Sequence, residues 1–160
     1  MASELRVDRI IPVNGVPTGG AGGVIQIVSS KLTSQVTTTS GNWDSTGLSV
    51  NITPIRSDSK IMLQMTAGKC GSAGGSGTQV YGATIYRDST NLGGGEGLNC
   101  LYTTAPDNYQ QFSIVYIDSP STTSSITYTV YHKRISGNGT HSFVRDGTTA
   151  ATLVAMEVSG

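Results

Sequence analysis

Charge is scarce in this sequence. Asp, Glu, Lys and Arg make up 12% of the 160 residues, and ten basic side chains cancel ten acidic ones. A chain with no net charge has no basic field to hold a phosphate backbone, which argues against a nucleic-acid reader. The same balance argues against disorder, which combines low hydrophobicity with high net charge. No apolar run approaches the roughly 18 residues of a membrane-spanning helix, so membrane insertion is not expected. Two cysteines are too few for a disulfide scaffold. Helical patterning is missing as well. Every ten-residue window carries Gly, Pro or β-branched residues, and none combines apolar spacing of 3.6 with caps. The opening residues also lack the apolar stretch of a secretory signal, because Glu4, Arg6, Asp8 and Arg9 interrupt it. Asn51 and Asn138 match the glycosylation pattern but are discounted on that ground.

Gly is abundant at 21 residues, and Ser and Thr together number roughly 40. A length of 160 residues suits one domain with its own core. The first 23 residues stand apart from the rest. Leu5, Val7, Ile10, Ile11 and Val13 form a short apolar segment, Pro12 and Pro17 punctuate it, and Gly19, Gly20, Gly22 and Gly23 make a flexible joint. The apolar segment needs a place to be buried. We therefore read residues 1–23 as an extended arm that docks on another chain, and residues 24–160 as a head domain.

The head alternates with period two. Ile61, Leu63, Met65 and Ala67 point one way while Lys60, Gln64 and Thr66 point the other, as on a half-buried strand. Leu48, Val50 and Ile52 do the same before Pro54. Val80–Arg87, Tyr109–Ile117, Ile126–Val130 and Ala151–Val158 read alike. With Val24–Ser30 and a stretch from Lys31 to Thr39, the expectation is about eight strands in an all-β, antiparallel sandwich of jelly-roll type.

Several strands are apolar on both faces. Val115 and Ile117 oppose Phe112, Ile114 and Tyr116. Val154, Met156 and Val158 oppose Leu153 and Ala155. Ile25 and Ile27 oppose Val24 and Val28. A two-layer sandwich buries one face of each sheet, so the second apolar face predicts a subunit interface at Ile25, Ile27, Val115, Ile117, Val154, Met156 and Val158.

Catalytic chemistry is hard to find. His132 and His141 lack the close spacing of a zinc signature and are read as satisfied or exposed side chains. Cys70 and Cys100 are read as free buried thiols. Gly71–Gly77 lacks the lysine and following helix of a phosphate-binding loop, and reads as a flexible loop, as does Gly93–Gly97. Asp44, Asp58, Asp88, Asp107, Asp118 and Asp146 sit at turn-like positions where carboxylates bond local amides. No catalytic group, metal or cofactor is expected. Three aromatics beside polar loops, Trp43, Tyr102 and Tyr109, are candidates for glycan contact, with Trp43 also suited to plugging an end of the core.

Four passages carry a family resemblance. They are Met1–Ile10 followed by the Gly joint and Gly23–Val28; Thr46–Pro54 with Ser57–Leu63; Asp118-Ser119-Pro120 with Thr127–Val130; and the ending Thr152–Val158. In order and spacing the chain resembles short fibre-type and decoration proteins in the virions of tailed bacteriophages, of the cyanophage and marine phage type. The resemblance implies a virion-attachment arm and a β-sandwich head like those of C1q and TNF, commonly a homotrimer. It also implies a second virion protein of capsid or tail as partner, and for some members host-surface polysaccharide. The expected location is the virion. This sequence departs from long fibres in having no shaft between Gly23 and Val24, which favours a small knob.

Overall fold

Alternating side chains specify strands here because each strand lies between a shared core and an outer surface. The computed structural model describes residues 23–159. The anchor residues Leu5, Val7, Ile10, Ile11 and Val13 lie outside the described residues.

Eleven strands follow in chain order: β1 (Val24–Leu32), β2 (Val36–Thr38), β3 (Asp44–Ile52), β4 (Lys60–Ala73), β5 (Gln79–Arg87), β6 (Thr90–Asn91), β7 (Asn99–Thr103), β8 (Asn108–Asp118), β9 (Ile126–Ser136), β10 (Thr140–Phe143) and β11 (Ala151–Val158). A 3-10 turn at Arg145–Gly147 is the one helical element among the described residues. The first sheet runs β1-β11-β4, with β8 on the far side of β4; the end of β4 also pairs with β10, and β10 with β2. The second sheet runs β3-β9-β5, and β5 carries both β6 and β7. All pairings are antiparallel. The chain crosses between sheets repeatedly, so most neighbours in a sheet are distant in sequence, β5 with β6 and β7 excepted. This is a jelly-roll sandwich.

The core lies between the sheets. Ile61, Leu63, Met65, Phe112, Leu153 and Ala155 enter it from the first, and Val50, Ile52, Ile85, Tyr128 and Val130 from the second. Each large apolar side chain buried this way contributes about 1.5–3 kcal/mol.

Polar clasps close the two ends. At one end the buried Glu157 accepts hydrogen bonds from Gln26 Nε2 and from the backbone N–H groups of Ile55 and Arg56. Ser159 N donates to the Gly23 carbonyl nearby, so residues 1–22 join the head at this end. Arg87 Nη1 donates to both oxygens of Asp118, at 2.9 and 3.0 Å, and the Tyr128 hydroxyl donates to the same carboxylate. At the opposite end Gln79 Oε1 accepts from the N–H groups of Asn138 and Gly139, and Ser76 N donates to Asn138 Oδ1.

Some expectations change. Residues 31–39 are not a strand of their own: β1 ends at Leu32 and β2 is a three-residue piece. The first three residues of the Gly71–Gly77 segment are strand, because β4 continues to Ala73. A bulge between Val24 and Gln26 breaks the alternation of β1, leaving Val24 exposed while Val28 packs on the core.

Candidate functional site

The outer face of the first sheet carries at least half of the large hydrophobic side chains that stand exposed among the described residues. Strand register sets Ile27, Met156, Met62 and Ile117 side by side across β1, β11, β4 and β8. The neighbouring row is Ser29, Val154, Gln64 and Val115. Ile27 is 59% exposed, Val115 63% and Ile117 59%. Val154, Met156 and Val158 are half-buried. One row further from Gly23 the face turns polar, with Lys31, Thr152, Thr66 and Ser113. The apolar patch therefore occupies the half of the sheet nearest Gly23. Six of the seven residues predicted at an interface share this face. The seventh, Ile25, falls in the bulge and is half-buried. Met62, which completes the central row, was not among them. Its place opposite the inward-facing Ile61 and Leu63 is the signal that finds it.

The three candidate glycan contacts do not form one site. Trp43 precedes β3, and its ring tip lies against Gly82 and Gly97, under the loop that follows β6. Its ring is also capped by Lys133 Nζ at 4.5 Å, so it covers the outer face of the second sheet rather than plugging the core. Tyr109 on β8 is covered by the Arg145 guanidinium at 4.2 Å. Tyr102 on β7 is open, at 66% exposure, with its hydroxyl 3.4 Å from Thr78 Oγ1.

The histidines are neither exposed nor fully satisfied. His132 on β9 and His141 on β10 face each other across the core, with their Nδ1 atoms 3.1 Å apart. Both are completely buried, and neither Nε2 has a hydrogen-bond partner. Burial holds both rings below the ordinary histidine pKa; Asp44 partly offsets this for His132, and His132 adds to it for His141. Sequence reasoning missed the pair because nine residues separate them. The signal available was phase, since His132 continues the inward series Ile126, Tyr128, Val130.

Cys70 is buried and free, and burial pushes its thiol up to about 11. Cys100 is free but exposed, contrary to the reading of two buried thiols. Asp118 is not a turn carboxylate either. It is buried at the end of β8 and held by Arg87 and Tyr128. Among the described residues, no three His, Cys, Asp or Glu side chains gather as a metal site. No protein-family model matches the chain, and no curated protein sequence matches it.

Proposed function

We infer that this chain is a non-enzymatic structural protein of a bacteriophage virion, a short fibre or decoration knob. The N-terminal arm anchors it to a capsid or tail protein, and the jelly-roll heads associate with one another as a homotrimer. The observation that carries this reading is the apolar outer face of the first sheet. A contiguous patch of Ile, Met and Val on a head of this size is a contact surface that water would otherwise wet at a cost. Its two central rows hold only Ser29 and Gln64 as polar members, and Lys60 stands beside Val158 at the rim, where its ammonium can stay in water. The patch also lies at the end where the arm leaves, so associated heads would bring their arms together.

The test has two parts. Light scattering on the full chain should give a trimer mass, and Met62→Glu with Ile117→Glu should give a folded monomer. A wild-type monomer at micromolar concentration would sink the self-association. Deleting residues 1–20 should then abolish incorporation into particles while the heads stay folded. Truncated protein that still decorates particles would remove the anchor.

A second reading is a carbohydrate-binding module for receptor recognition. Tyr102 favours it, as an exposed ring beside the Thr78 hydroxyl. Glycan-array binding that is lost in Tyr102→Ala would support it, and a silent array would count against it.

A further inference from the structure

Each neutral imidazole carries one N–H. Where two Nδ1 atoms stand 3.1 Å apart, only one of them can hold a proton that serves as donor. The donor ring then has a bare Nε2, and the acceptor ring must carry its own N–H at Nε2. Both Nε2 atoms are buried without a partner. The pair thus holds one proton between the two sheets and leaves one donor unsatisfied.

The surroundings offer little to a second charge. Asp44 and Ala83 flank His132 in register, on β3 and β5. Thr38 and Ser72 flank His141, on β2 and β4. Tyr81 stacks on His141 at 4.7 Å with its hydroxyl engaged by Ser72 and Gln79. Phe112 and Phe143 close the sides. Of the titratable groups here, the Cys70 thiol on β4 stays neutral in the acid range, and only the Asp44 carboxylate favours a charged ring.

We propose that the His132–His141 contact is an acid-sensitive latch between the sheets, closed by one shared N–H and opened when both rings are protonated, freeing the β2–β10 end of the sandwich. A first added proton keeps the bridge, since a charged donor ring still faces a bare nitrogen. A second puts two N–H groups head to head, and the bridge fails. The strands beside it are the shortest of the first sheet, three residues in β2 and four in β10, so they have the fewest ladder bonds to hold them. The sign follows from linkage. The unfolded chain takes up protons on both histidines below about 6.5, the folded chain resists, and stability therefore falls as pH drops from there.

Long-range nitrogen–proton NMR on the wild-type full chain at pH 7 should show one ring protonated at Nδ1 and the other at Nε2, with neither titrating near pH 6.5. Two rings both protonated at Nε2, or an ordinary titration of either in the folded protein, would overturn the latch. Amide exchange from pH 7 to pH 4, corrected for intrinsic rates, should show Val36–Thr38 and Thr140–Phe143 losing protection before Ala151–Val158; simultaneous loss across the first sheet would count against it. His141→Phe keeps an aromatic ring beside Tyr81 and should lower proton uptake on acid unfolding by about one. Unchanged uptake would also overturn the proposal, and the wild-type NMR decides the matter if that variant does not fold.

Discussion

At Gly82 a β-carbon would stand 2.3 Å from the carbonyl oxygen of Glu96 and 3.1 Å from the ring of Trp43. Ile135 Cδ1, at 3.0 Å, could move aside, but the Glu96 backbone cannot do so without shifting the loop. The missing side chain is what lets the loop after β6 lie against the second sheet. Gly82→Ala should therefore destabilise the head by about 1–3 kcal/mol, measured by urea unfolding. Gly74, with open space around the same position but a positive φ of 68°, tests backbone strain separately. Gly82 sits inside a period-two strand, and sequence marks it only as a weak point in that strand. Its crowding depends on Glu96 and Trp43, which reach it from distant parts of the chain, and no local pattern encodes that.

Among the elements, β4 shows where the sequence was legible and where it was not. Ile61, Leu63, Met65 and Ala67 announce the strand because one face meets the core and the other does not. Beyond Gly68 the alternation fades, yet the strand continues to Ala73 because β8 and β10 pair with it there. β7 and β10 were missed for a related reason. Each is short and preceded by glycine-rich sequence, β7 by Gly93–Gly97 and β10 by Gly137–Gly139, and apolar and polar residue types do not alternate along it. The apolar rows of the first sheet were legible in kind, since two-faced strands announce themselves. The alignment of Ile27, Met156, Met62 and Ile117 was not, because register belongs to pairs of strands. A further test belongs to β5, β8 and β9 together. Arg87→Met would leave the buried Asp118 carboxylate without its cation, at a cost of about 3 kcal/mol. Tyr128→Phe removes one donor to that carboxylate while leaving its cation in place, and should cost about 2 kcal/mol. Thermal or urea unfolding of the two variants checks the order.

For the whole molecule, the association proposed through the first sheet would tie stability to concentration. If the heads trimerise before they unfold, the melting temperature should rise with protein concentration, and Met62→Glu with Ile117→Glu should abolish that rise. A flat melting temperature in wild type would separate the fold from any assembly. The jelly roll itself has no need of the apolar face, since its core is complete between the layers.

The joining of the arm to β1 has a mechanical consequence. Residues 1–22 enter the head at Gly23, where β1 begins its antiparallel ladder with β11, paired from Val24–Val158 through to Leu32–Ala151. If the arm is held on a particle and the opposite end of the head is pulled, the load runs along the axis of β1. The ladder is then strained in shear, with its hydrogen bonds loaded together rather than unzipped one at a time. A tether placed at a hairpin turn would have peeled the strand from its end. A sandwich held at Gly23 would therefore resist traction along β1 better than one peeled from a hairpin turn.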